Sequence, residues 1–204
     1  MSKLSSLQRD SGSISTSLAP GLLVASPNMK DARFKRAVIL LAEASDEGAL
    51  GFVINKSTHF TFSDISGDIG LKVARSIEHD AVYYGGPVSE ERGWVLFREE
   101  SGVADPDGEP AVIEVGQTLR VSPTIEVLRQ FLLRPDTGEF RLLLGYAGWG
   151  PEQLEEEIIE GSWIPLDLDI DLVFRTPENE VWDAALGRLG LTAGAFVMSS
   201  GGSA

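Results

Sequence analysis

The sequence predicts a single α+β domain, and three observations carry that expectation. Short apolar, β-rich runs dominate the first half and come as hairpins. Helical stripes with capping signals are mixed among them without the regular strand–helix alternation of a doubly wound sheet. The chain has 204 residues, 43% of them hydrophobic, and a fold of that size removes roughly 70% of the unfolded surface from water, enough for a core without staples. Residues 1–17 are expected to form a disordered Ser-rich arm, 18–198 the domain, and 199–204 a small polar tail.

Pro20-Gly21 is a turn signal, and Leu22-Leu23-Val24-Ala25 follows as a buried strand. Ser26 to Arg36 holds the one basic cluster: Lys30, Arg33, Lys35 and Arg36. Against an acidic whole it is expected to be a solvated turn with Met29 and Phe34 tucked inward, in preference to an anion site. Val38-Ile39-Leu40-Leu41 is continuously apolar, the pattern of a strand covered on both faces. Leu50 to Asn55 returns after the turn Ser45-Asp46-Glu47-Gly48, making a hairpin. Thr61 and Asp64 match a capping box ahead of Phe62, Ile65 and Ile69, which predicts a short helix.

Ala81 to Tyr84 is a strand cut off by Gly85-Gly86-Pro87, and Gly93 to Arg98 is the next. Asp105-Pro106-Asp107-Gly108 is expected to be an exposed turn, and Ile113 to Val121 short strands broken at Gly116. Ser122 is expected to cap a helix with Pro123 in its first turn; Ile125, Leu128 and Leu132 share its apolar face, and it stops before Pro135. The strand Phe140 to Leu144 then runs into Gly145-Tyr146-Ala147-Gly148-Trp149-Gly150, expected to be a tight turn into an acidic helix. From Ile164 to Leu172 apolar residues alternate with Asp167, Asp169 and Asp171, as in a strand, yet Asp169 equally suits the cap of a short helix through Phe174. Both readings stand. Thr176 is expected to cap the last helix, whose stripe is Trp182, Leu186 and Leu189 and whose end is Gly190.

Charge and composition restrict function. With 17 Lys and Arg against 31 Asp and Glu the net charge is −14, which disfavours phosphate backbones and anionic membranes. There is no cysteine, hence no disulfide, zinc-thiolate site or thiol nucleophile. No signal-peptide run or membrane span is present, so a soluble, cytoplasmic protein is expected.

Motifs for chemistry are scarce. The spacing of Gly145, Gly148 and Gly150 is not that of a dinucleotide fingerprint, and Glu152, Glu155, Glu156 and Glu157 oppose a phosphate at that helix start. His59 and His79 lie on different elements, and the row Asp167, Asp169, Asp171 lacks the glycine and bidentate glutamate of a calcium loop, so no metal site is expected. No G-x-S-x-G or S-x-x-K pattern occurs, and no catalytic residue is assigned. Glu152, Glu156 and Glu160 recur at helical spacing and form a solvated face.

Several blocks resemble the YqgE/AlgH family: Pro20 to Ala25, Gly48 to Lys56, Tyr84 to Val88, Gly145 to Gly150 with Gln153 to Glu157, and Phe174-x-Thr176-Pro177 ahead of Trp182. The resemblance spans about Leu18 to Leu191. It implies a bifurcated, mostly antiparallel sheet, partly closed like a small barrel and surrounded by helices. It also implies the label of transcriptional regulator, with no catalytic residue to carry over. Ser57 stands where the family usually has proline, and Ala44-Ser45 replaces a common His-Asn.

Two functions follow as expectations. The first is a non-catalytic regulatory or interaction protein with an unidentified protein partner, no cofactor and no strong nucleic-acid binding, for which Gln153 and Glu156 on the acidic helix are surface candidates. The alternative is a small-molecule binder or enzyme with a pocket near Asn55, Gly85, Gly86, Pro87, Gly148, Trp149 and Gly150. Whether those three segments meet is a question of geometry.

Overall fold

A computed structural model describes residues 18–103 and 112–192; the arm, the tail and the Asp105–Gly108 turn lie outside the described residues. Among the described residues ten strands and five α-helices follow in the order β1 (Gly21–Ala25), β2 (Val38–Ser45), β3 (Gly48–Val53), β4 (Ser57–Thr61), α1 (Phe62–Asp68), β5 (Ala81–Tyr84), β6 (Val88–Arg98), β7 (Ile113–Val115), β8 (Leu119–Ser122), α2 (Ile125–Leu133), β9 (Phe140–Trp149), α3 (Gln153–Ile159), β10 (Trp163–Asp167), α4 (Ile170–Phe174) and α5 (Glu178–Arg188). The sheet runs β10-β1-β2-β3-β9-β6-β8-β7, with β4 and β5 branching off β9. All pairs are antiparallel except β5 with β9.

β9 is where the sheet forks. One edge of it pairs with β6 over most of its length. The other edge is shared: Leu143 and Leu144 pair with β5, then Ala147 to Trp149 pair with β3. The strand therefore continues through Gly145 and Gly148, and the expected turn begins only after Trp149. At the fork, Gly85 donates its N–H to the Leu144 carbonyl and its own carbonyl accepts from Val53 N–H, stitching the end of β5 to β9 and to β3. The end strands β10 and β7 do not pair, so hydrogen bonds do not close the sheet.

The sheet nevertheless curls enough for its two wings to share a core. Leu22, Val24, Val38 and Leu40 from one wing and Leu96, Val115 and Val121 from the other pack together with Trp182 and Leu186 of α5. The alternate residues Leu23, Ala25, Ile39 and Leu41 face outward into a second cluster with Met29, Trp149, Leu154 and Trp163. Burial on both faces explains the unbroken apolar run of β2. A third cluster joins Val95, Phe97 and Leu142 to α1 and α2.

Two helix starts differ from expectation. Ser122 ends β8 and the α2 cap is Thr124; the Ser122 Oγ accepts the Thr124 N–H at 3.2 Å instead of a helical amide. Pro177, not Thr176, is the α5 cap, because the Thr176 hydroxyl donates to the Asp171 carbonyl at 2.9 Å. The open segment resolves into both of its readings, since β10 ends at Asp167 and the Asp169 side chain then caps α4. The short strand β4 has no counterpart in the expectations.

Candidate functional site

Asn55 sits at the end of β3 and brackets the entry to β2. Its Oδ1 accepts the Val38 N–H at 2.7 Å and its Nδ2 donates to the Arg36 carbonyl at 2.9 Å. Arg36 lies in the left-handed region (φ 55°), so the clamp spans a bend the chain would otherwise resist. Lys56 continues the clamp, donating from Nζ to the Arg33 carbonyl at 2.7 Å. The basic segment is thereby folded against the sheet. Met29 is buried, Phe34 meets Trp163 edge-on, and Arg33 and Arg36 pair with Asp31 and Asp183.

Gly85 and Gly86 meet Gly145 backbone to backbone. A Cβ on Gly145 (φ 72°) would collide with the Gly86 carbonyl, and one on Gly85 with the Gly145 carbonyl. Three strands converge here and leave no room for a side chain. Pro87 links this crossing to β6. Gly148 pairs with Leu50 and Trp149 with Ala49, at the far end of β3 from Asn55, so roughly 17 Å of strand separates them at ~3.3 Å per residue. Gly148–Gly150 thus stands apart from Asn55, whereas Gly86 packs against Tyr146 and Ala147, next to Gly148, and Gly85 reaches the Asn55 side of the fork only through its bond with Val53.

Trp149 is 7% exposed and joined to a polar lattice. Its Nε1 donates to Glu157 Oε2 at 3.0 Å, and Trp163 Nε1 donates to the same oxygen at 2.8 Å. Gln153 donates from Nε2 to Glu157 Oε1 at 2.8 Å and accepts the Gly150 N–H on its Oε1 at 3.0 Å. The side-chain polar groups of Trp149, Gln153, Glu157 and Trp163 thus satisfy one another. Outward, Glu152, Glu156 and Glu160 are exposed beside Ile159, which is 78% exposed.

Arg141 carries a further buried polar contact. Six per cent exposed on β9, it donates from Nη1 to the Ile54 carbonyl at 2.6 Å and lies 4.3 Å from the Tyr83 ring centroid. Burial lowers its pKa, offset in part by Tyr83 and Glu178. The guanidinium occupies the gap where β3 and β5 part and satisfies a carbonyl there. An arginine inside the run Phe140 to Leu144 was the sequence signal for this role.

Two cavities border the fork. The first, about 360 Å³, is walled by Lys56, Phe60, Tyr84, Glu90 and Leu144 with the chain from Ser57 to His59. Burial lowers the pKa of Lys56, with Asp31 acting against it. Burial, then Glu90, raises that of Tyr84. The second cavity, about 290 Å³, lies between α1, α2, β6 and β9. Its walls include Ile65, Val95, Leu128 and Leu142, and Ile69 and Ile125 stand at its mouth 41% and 42% exposed, with Asp68 and Glu91 beside them. Leu144 lines both. Neither is lined by Trp149, Gln153 or Glu156. Residue spacing could not reveal these cavities, because each draws on at least three separate elements.

Among the described residues no group of three His, Asp or Glu could hold a metal. Asp169 is occupied with its cap and with Arg188, and Asp171 with Arg175. No described helix is long and apolar enough to cross a membrane.

The frame of clamps and interlocked glycines coincides with residues 22–194, which match the family model described as AlgH-like. The chain belongs to the AlgH-like family. A UPF0301 protein of Anaeromyxobacter sp. strain K is 41% identical over 190 residues, covering 91% of this chain and 94% of that one. One from Myxococcus xanthus is 36% identical over 184 residues, covering 90% and 97%. The solution structure of the AlgH protein from Pseudomonas aeruginosa superposes with a TM-score of 0.70 at 30% identity, covering 97% of this chain and 100% of that one. A Corynebacterium diphtheriae protein, 23% identical with a TM-score of 0.62 over 90% of this chain and 91% of its own, shares the fold.

Proposed function

We propose that this AlgH-like protein is a non-catalytic regulatory protein that works by docking another protein. The observation that carries the reading is the α1–α2 groove: a concave apolar site whose mouth residues Ile69 and Ile125 stay exposed and whose rim is acidic through Asp68 and Glu91. Concave apolar ground with a charged rim suits a segment that presents one or two apolar anchors beside a lysine or arginine. The outer edge of α3, with Glu156, Ile159 and Glu160, has the same chemistry and is a second surface for such a partner. Any effect on expression is then indirect, since the basic residues are few and Arg33 and Arg36 are already paired with carboxylates.

Site-specific photocrosslinking from position 125 in cells, with a probe at exposed Lys72 as control, tests the reading. A discrete protein adduct is expected from position 125 alone, and it should vanish when Asp68 and Glu91 are both changed to lysine. An adduct indifferent to that reversal, or tight salt-sensitive binding of the purified protein to random duplex DNA, would refute it.

A further inference from the structure

The cavity beside Lys56 has a chemistry that the docking groove lacks. It is lined by an ammonium, Lys56, and a carboxylate, Glu90, neither of which is in an ion pair among the described residues. Lys56 is half-buried, and its Nζ makes one hydrogen bond, to the uncharged Arg33 carbonyl. Asp31, the carboxylate that acts on it, is committed to Arg33 at 2.7 Å. Glu90, exposed on the β6 wall, forms no ion pair among the described residues, although the Arg33 guanidinium acts on it from a distance, and the Tyr84 hydroxyl of the same lining has no hydrogen-bond partner among those residues. Thr58, by contrast, is used internally, donating to the Val82 carbonyl at 2.8 Å.

We propose that this cleft binds a small zwitterion, a free amino acid or a dipeptide, with its carboxylate on Lys56 and its ammonium on Glu90. A volume of about 360 Å³ lies at the small end of ligand sites and matches a molecule of that size. Phe60 and Leu144 supply an apolar wall for its side chain, and Tyr84 of the same lining adds a phenol that can donate or accept. Partial burial makes the Lys56 charge costly and Asp31 offsets that only in part, so a carboxylate entering the cleft removes a remaining penalty. A nucleotide fits worse, because Glu90 would face its phosphates. A diamine or a dicarboxylate leaves one of the two protein charges unmatched.

This inference is independent of partner docking and is tested on the purified full chain alone. Thermal unfolding is followed with each proteinogenic L-amino acid and a set of dipeptides, and with the N-acetyl and carboxamide derivatives of any that bind. For a binder near 100 times its Kd, Tm is expected to rise by about 5–10 °C. Capping either end should weaken binding by about tenfold or more. Glu90→Gln should weaken the parent ligand by a similar factor and leave the unliganded Tm unchanged, because the side chain makes no internal ion pair. Lys56→Met should abolish the preference for a free carboxylate, although it also releases the Arg33 carbonyl, which makes Glu90→Gln the deciding variant. The inference is overturned if no amino acid or dipeptide shifts Tm at about 10 mM. It is equally overturned if capped and free forms bind alike, or if folded Glu90→Gln binds as tightly as the parent protein.

Discussion

Changing Glu157 to glutamine tests whether the conspicuous stretch after β9 is a structural lattice. The donors and acceptors form a directed chain. The Gly150 N–H fixes Gln153 Oε1, which turns Gln153 Nε2 toward Glu157 Oε1, and Glu157 Oε2 receives both indole N–H groups. Only a group that accepts at both ends fits. A glutamine with its oxygen on the indoles sets its own N–H₂ against that of Gln153, and turned the other way it sets N–H₂ against two indoles. The first arrangement is cheaper: one charge-assisted bond is lost and two become neutral, a cost of about 1.5–3 kcal/mol. Glu157→Ala orphans the N–H groups of Trp149 and Trp163, 7% and 2% exposed, at about 1–3 kcal/mol each. For a domain of this size the glutamine variant should melt about 3–12 °C lower. Urea unfolding followed by far-UV circular dichroism gives the free energy without relying on tryptophan emission, which the substitution itself perturbs. A glutamine variant within about 0.5 kcal/mol of the parent would refute the lattice.

Four further substitutions, one of them a control, probe the fork and the pH response. Gly145→Ala should destabilise by about 3 kcal/mol or more, joining the left-handed cost to a collision with the Gly86 carbonyl. Gly70→Ala (φ 67°), with nothing near its added methyl, should lose only about 1–2 kcal/mol, and urea midpoints compare the two. Arg141→Met leaves the Ile54 carbonyl unpaired and should cost about 1–3 kcal/mol by the same assay, the relief of a buried charge setting the low end. The Arg175 guanidinium, with help from Arg98, holds the Glu139 carboxyl below its ordinary value of 4.5. Its contribution is therefore full above pH 4.5 and is lost as pH falls through the lower, folded-state value. Glu139→Gln should flatten that acid limb of stability against pH, and an unchanged slope would show that the pair carries none of it.

Most elements are legible in the sequence because their causes are local. The capping box at Thr61 and Asp64 forms within one helical turn, the β2–β3 hairpin needs only two apolar runs and a turn, and the α5 stripe lies at helical spacing. The two displaced caps were missed because Ser122 and Thr176 spend their hydroxyls elsewhere, Ser122 on Thr124 and Thr176 on the Asp171 carbonyl of the preceding helix α4. β4 was missed because its polar residues, Ser57, Thr58 and His59, show no alternation and owe their strand form to pairing with β5. Gly145 to Trp149 resembled a turn because glycine weakens a strand signal, whereas here the absent side chains admit a crossing backbone.

By itself the sequence determined an α+β fold, the place of most strands and helices, a net charge of −14 and the absence of cysteine chemistry, all properties of composition and short-range pattern. Only the tertiary structure decided which residues frame the fork and which face open cavities. Asn55, Gly85 and Gly145 owe their roles to strands that meet across long stretches of chain, and Arg141 to a gap between β3 and β5. Lys56, Tyr84 and Glu90 become neighbours because β3, β5 and β6 converge at β9, a juxtaposition no spacing along the chain encodes.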